Sequence, residues 1–286
     1  MIKAPITALI TATVLAIAPG IHLRSQQKIP TRFNQGVARV GSDWVFSGNN
    51  VLARVDGDLK VATEHDNPIP PEWAAKGYNH VGDVDVVNGV LYAPFEQPNY
   101  DLGHQATARY DPTTLQFIDA TDLPQHENSF VTVDGSTMTA YTMDHFDGDS
   151  LLRYQLPAWA PLPPLHMSST LHMTQGGAVA RGAVWISTSD SGNHVYRVDI
   201  KTGHVTTVAS LGTAGEGEGI DATEMPAGQL HVIRNITGTL DVVFAHLGTP
   251  PHQRAWVKWL VPVVAVPVFV FVGVWTVRNR RRRPKT

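Results

Sequence analysis

The chain of 286 residues contains no cysteine, which excludes disulfides, thiolate metal sites and a cysteine nucleophile together. Its formal charge of −3 hides an asymmetry: between Arg32 and Arg254, twelve basic residues meet all 25 acidic ones. So acidic a stretch repels nucleic-acid phosphates and is suited to cations or basic partners.

In chain order, Met1-Ile2-Lys3 precedes an apolar stretch from Ala4 to Ala18, the charge-then-apolar layout of a signal sequence. Residues 1–25 therefore read as a signal peptide or a retained signal anchor. Pro19 directly after Ala16-Ile17-Ala18 leaves cleavage open.

From about residue 30 to 250, short runs rich in Val, Tyr and Thr alternate with turn residues. Examples are Val37–Gly41, Asp43–Gly48, Val51–Gly57, Asp83–Gly89 and Val90–Glu96. Such runs predict consecutive antiparallel hairpins. They also keep register. His80, His126, His172 and Glu218 are each 46 residues apart, and one step back reaches Asn34. Gly41, Gly89, Gly135, Gly182 and Gly228 close the first hairpin of each unit. Arg54-Val55-Asp56, Arg109-Tyr110-Asp111, Arg153-Tyr154-Gln155 and Arg197-Val198-Asp199 end the third strand.

A four-stranded unit of about 46 residues has the size of a propeller blade. The fold class is thus all-β: a β-propeller of five blades over 34–79, 80–125, 126–171, 172–217 and 218–248, with six unequal blades as the alternative. The last unit lacks a strand, and the segment around Lys28–Arg32 is the expected source of a ring-closing one.

At the C-terminus, Trp259 to Val277 is a 19-residue uncharged run with Trp256, Trp259 and Trp275 at its ends. That length and those interfacial indoles predict one transmembrane helix. The basic cluster Arg278 to Arg283 behind it predicts a cytoplasmic tail over 278–286 and places the propeller outside the cytoplasm.

The turn Asp199-Ile200-Lys201-Thr202-Gly203 and the repeated Arg-Φ-Asp steps resemble those of secreted propeller repeat proteins, the broad group of senescence-marker-protein/gluconolactonase-like and NHL or YVTN-like chains. The resemblance covers roughly residues 34–248 and is architectural. Lactonase-like members of that group use an acidic and amide metal site on the axis. Glu218 fits such a ligand, whereas histidine at three equivalent positions departs from the pattern, so no catalytic role is carried over.

Candidate chemistry follows from the loops that open on one face of the ring. Asn34, His80, His126, His172 and Glu218 begin the innermost strands, and three imidazoles with a carboxylate suit Zn, Fe or Mn. In that reading Asp83 or Glu127 is the general base acting on metal-bound water. Histidines repeated in register also serve as ties between blades, and spacing alone does not choose between the roles. Glu216, Glu218 and Asp221 with Asp83 offer hard oxygen ligands for Ca. A rim of Glu96, Tyr100, Asp101, His104, Asp144, His145, Asp147 and Asp149 forms a candidate ligand-binding edge. No Gly-x-Ser-x-Gly elbow, His-Glu-x-x-His, phosphate loop or dinucleotide fingerprint occurs. The expectation is a membrane-anchored binding or scaffolding module that takes a protein or small-molecule ligand on its acidic, His-rich face. The alternative is a metal-dependent hydrolase or lactonase.

Overall fold

Alternating apolar residues and tight turns build five antiparallel sheets of four strand positions each, in a computed structural model that describes residues 20–249. Strand β1 (His22–Ile29) comes first in sequence but last in the ring. Blade 1 comprises β2 (Gly36–Val40), β3 (Asp43–Gly48), β4 (Val51–Val55) and β5 (Val61–Asp66). A one-turn helix, α1 (Pro71–Ala74), leads to blade 2. There the innermost strand is split into β6 (His80–Val81) and β7 (Asp85–Val87), followed by β8 (Val90–Glu96), β9 (Gln105–Tyr110) and β10 (Phe117–Leu123). Blade 3 holds β11 (Thr132–Asp134), β12 (Thr139–Thr142), β13 (Asp147–Gln155) and β14 (Ala160–His172). Blade 4 holds β15 (Thr174–Ala180), β16 (Ala183–Thr188), β17 (His194–Asp199) and β18 (Val205–Ser210). In blade 5, β19 (Glu216–Asp221), β20 (Gln229–Ile236) and β21 (Asp241–Gly248) are completed by β1, giving the order β19-β20-β21-β1.

The markers in the sequence have local causes. Asn88 and Gly89, at φ 52° and 77°, form the positive-φ turn that matches the twist of a hairpin, and Arg181 and Gly182 repeat it at 52° and 70°. The aspartates of the Arg-Φ-Asp steps organise the turn between third and fourth strands. Asp56 Oδ1 accepts from the amides of Asp58 and Lys60, both at 2.9 Å, and Asp111 Oδ1 accepts from those of Thr113 and Thr114 at 2.8 and 2.7 Å. Asp199 does the same for Lys201 and Thr202 at 3.1 Å. The arginines brace the sheet: Arg54 donates to Asp43 at 2.6 Å, and Arg109 Nε to Asp119 at 2.7 Å.

Each blade buries its faces against both neighbours, so apolar clusters fill all five interfaces. Val45 and Leu52 meet Leu91 and Phe95 between blades 1 and 2. Tyr92 and Leu123 meet Tyr154 and Trp159 in the next interface, and Tyr141 and Leu151 meet Val184 and Ile186 in the third. Trp185 and Val195 pack on Ile220 and Val232, while Phe244 of blade 5 packs on Trp44 and Phe46 of blade 1. A ring so closed needs five blades and settles the count against six.

Two sequence expectations are corrected. The closing strand is His22–Ile29, paired antiparallel with Asp241–Gly248, and not a strand around Lys28–Arg32. Residues 22–25 of the segment that reads as a leader belong to this strand. His172 ends the outermost strand of blade 3 instead of opening blade 4, because β13 and β14 pair with two register shifts and β14 runs for 13 residues. Residues 1–19, the apolar run Trp259–Val277 and the tail 278–286 lie outside the described residues. Among the described residues, no helix is long and apolar enough to cross a membrane.

Candidate functional site

The centre of the ring is filled. Asp83 lies between β6 and β7, bridged to Phe130 of blade 3, and it is 1% exposed. Its Oδ1 accepts from the amides of Val37 and Val84, each at 3.0 Å. Its Oδ2 accepts from those of Gly177 and Ile220 at 3.0 and 3.1 Å. Four strand segments from four blades therefore converge on one carboxylate. Burial pushes its pKa well up, and the amides of Ile220, Val37 and Gly177 pull it back. Gly36, Gly176 and Gly219 let the strands close in: a Cβ on Gly176 would lie 2.7 Å from both Asp83 Oδ2 and the Gly219 Cα. Asp83, expected as a general base, is instead an axial tie with both oxygens occupied.

The axial metal quartet is not brought together. His126 is exposed, and its Nδ1 donates to the Tyr100 carbonyl at 3.0 Å. His172 lies on the outer strand of blade 3, paired with Asp147 at 2.5 Å, both side chains largely exposed. Glu218 does sit on an innermost strand, buried and bound by the Asn235 amide at 2.7 Å. Burial, then the charge of Glu216, pushes its pKa well up. Among the described residues, no group of three or more His, Asp or Glu side chains could hold a metal ion. The expected Ca cluster is divided as well. Glu216 opens β19 and Asp221 ends it at the opposite edge of the ring, where Asp221 binds Thr223 and Arg39.

A different set does assemble, at the mouth between blades 2 and 3. His80 and Glu96 stand directly opposite in the β6–β8 pair. Glu96 is 9% exposed, and its Oε1 accepts from the Asn128 amide at 2.7 Å, which carries it across to the segment entering blade 3. Next to Asn128, Glu127 Oε2 accepts from the Phe146 amide at 3.0 Å, while the Glu127 amide donates to Asp144 Oδ1 at 3.3 Å. The second-to-third-strand loop of blade 2 is held by amides: Gln97 donates to the Asn99 carbonyl at 2.7 Å, and Gln105 to the His126 carbonyl at 2.7 Å. That loop delivers Tyr100, whose ring meets Phe146 edge-on at 6.3 Å; Phe146 in turn meets His145 at 4.6 Å. His145 Nδ1 donates to the Thr174 carbonyl at 2.6 Å, and its Nε2 has no protein hydrogen bond among the described residues.

Electrostatics couples these groups. Burial raises the Glu96 pKa to about 7, with the charge of Glu127 adding to the rise against the Asn128 amide. Burial and those two carboxylates push Tyr100 up to about 12. Burial, then His145, lowers His80 to about 4, so its imidazole is neutral at physiological pH. Glu96 Oε2, Glu127 Oε1, the Tyr100 hydroxyl, His145 Nε2 and both ring nitrogens of His80 have no protein hydrogen bond among the described residues. These polar atoms without protein partners, beside two aromatic faces, make the mouth the candidate site.

The remaining rim residues stand apart from it. His104 and Asp122 share the Tyr78 hydroxyl on the outer part of blade 2. Asp101 lies exposed on the 3-10 turn Tyr100–Leu102, and Asp149 accepts from Ser150 on an exposed stretch of β13. Sequence reasoning placed Glu96, Tyr100, Glu127 and His145 on one face but not in one cluster. It did not single out Asn128, whose amide couples the two glutamates, nor Phe146 as the ring between Tyr100 and His145.

No family model matches the chain, and no curated protein matches it. Among solved structures, the glutaminyl cyclase of Myxococcus xanthus superposes with a TM-score of 0.59 at 14% identity, over 81% of this chain and 99% of that one. Hydrazine synthase of Kuenenia stuttgartiensis gives a TM-score of 0.46 at 12% identity, over 74% of this chain and 58% of that one. AztD of Citrobacter koseri gives 0.38 at 13% identity, over 63% and 48%. The first likeness is one of fold, a five-bladed propeller; the other two are too loose to add to it.

Proposed function

We propose that this chain is a membrane-tethered, extracytoplasmic binding module that takes a ligand bearing a protonated amine at the mouth between blades 2 and 3. The observation that carries this reading is the pair of carboxylates, Glu96 and Glu127, each with an open oxygen beside the rings of Tyr100 and Phe146. An ammonium group donates to carboxylates and is attracted by aromatic faces, whereas an anion would meet repulsion there. The acidic balance of the propeller region adds long-range attraction of the same sign. The tether rests on the uncharged run Trp259–Val277 and the arginines behind it.

Titration of the full chain with butylamine, and with 1-butanol as the uncharged control, tests the reading. Saturable binding of the amine alone, weakened about tenfold by Glu96→Gln, is expected from the loss of one charge-assisted hydrogen bond. Equal binding of amine and alcohol would sink it.

One observation favours a second reading, acid–base catalysis on the same ligand. A carboxyl held at about 7 next to a neutral imidazole exchanges protons at neutral pH. The fold is shared with a glutaminyl cyclase, so it accommodates an enzyme. Turnover of an amine-bearing substrate that is lost in Glu96→Gln marks this reading; binding without turnover marks the first.

A further inference from the structure

A second site lies away from the mouth, on the face of blade 5 that looks toward blade 4, and it has the opposite charge. Lys28, Val243, Arg234 and Gly217 follow one another across β1, β21, β20 and β19 in register, so the two cations share one face of the sheet. The loop of residues 211–214 lies against Arg234 and, with the strands, lines an open cleft of about 620 Å³; Lys28 stands exposed at its edge. Arg234 is 5% exposed. Its Nη2 donates to the Ala214 carbonyl at 3.0 Å, its Nε has no partner, and it takes part in no ion pair among the described residues. A buried guanidinium without a counter-charge is costly, and burial accordingly lowers its pKa. In a domain with so large an excess of acids, a cation that is buried and yet has no ion pair among the described residues is conspicuous.

The other charged side chains of the cleft, Lys28 and Asp241, neutralise each other at 2.7 Å. The cleft therefore carries one net positive charge, at Arg234, between the apolar walls of Leu211, Ile236 and Val243. One buried positive charge balances a monoanion better than a phosphate dianion, and a planar guanidinium matches a carboxylate in shape.

We infer that this cleft binds a small organic monocarboxylate, with its carboxylate on Arg234 and its apolar body against Leu211, Ile236 and Val243. The site is independent of the mouth and of what the mouth binds.

The test is a titration of the full chain with butyrate, set beside butylamine and inorganic phosphate and followed by calorimetry. Saturable butyrate binding is expected, weakened about tenfold or more by Arg234→Gln, since a charged hydrogen-bonded partner is lost. Because Arg234→Gln also removes a bond to Ala214 and its fold could suffer, Asp241→Asn serves as the second variant. It frees the charge of Lys28, and a severalfold tighter hold on butyrate is expected. No saturable butyrate binding, an affinity that neither substitution changes, or phosphate binding tighter than butyrate would each overturn the inference. Butylamine bound as well as butyrate in the same cleft would overturn it too.

Discussion

Replacing Asp83 by Asn tests whether one carboxylate ties the ring at its axis. The side chains are nearly isosteric, so packing is preserved and only hydrogen bonding changes. The carboxylate accepts from four buried amides, two on each oxygen. An asparagine amide offers one oxygen, so one pair of donors keeps its acceptor and the other pair faces an NH2 group. Each buried donor left without a partner costs about 1–3 kcal/mol, which puts Asp83→Asn at about 2–6 kcal/mol. For a domain of this size each kcal/mol moves Tm by about 2–4 °C, so a fall of roughly 5–20 °C is expected. Thermal unfolding of the full chain, followed by circular dichroism, measures it. A fall below about 2 °C would mean that the axis holds without this carboxylate and that the account of the hub is wrong.

Further outcomes follow from the same geometry. Glu96 has its folded pKa raised to about 7, so its stabilising form is the protonated one, and stability is lost as pH rises from the usual carboxyl range through 7. Glu96→Gln should therefore be more stable than the parent at pH 8 by up to about 3 kcal/mol, and nearly equal at pH 5. A gap that does not vary with pH in urea unfolding contradicts this. His231 runs the other way. It donates from one ring nitrogen to Glu224 at 3.0 Å and faces His246 Nδ1 at 2.8 Å, where the two Nδ1 atoms can share only one proton. Burial lowers its pKa to about 4. Its contribution is complete above about pH 6.5 and is lost as pH falls toward 4, because the unfolded chain then binds more protons. The His231→Gln chain should lose stability less steeply over that window, and identical slopes would refute the assignment. Deleting residues 22–29 removes β1 and bares the edge of β21. Light scattering should then detect association; a monodisperse, equally stable monomer would show that β1 does not close the ring.

Much of the architecture was legible because the blade repeats local chemistry. Gly89 and Gly182 mark positive-φ hairpins, and Asp56, Asp111 and Asp199 mark turns, each visible as a residue type in phase. Direction was not legible. His126 and His80 are 46 residues apart, yet one turns outward to a loop carbonyl while the other stays half-buried beside Glu96. His172 lost its place because blade 3 spends extra residues on a long, bulged outer hairpin, which a fixed period cannot register. The strand His22–Ile29 was hidden beneath a leader-like N-terminus, since composition there announced export more loudly than pairing. Asp83 offered little signal, an acid beside Gly82 like other loop acids, because only packing shows that amides from four blades converge on it. Arg234 offered none, because only packing shows that no carboxylate reaches it.

The amine assignment of the mouth is tested most directly by nuclear magnetic resonance of the full chain titrated with butylamine, observing the ring resonances of Tyr100 and Phe146. The expected result is saturable shifts of both rings that 1-butanol does not produce, with the affinity falling about tenfold in Glu96→Gln. Unmoved rings, or shifts of equal midpoint in Glu96→Gln and the parent chain, would contradict it.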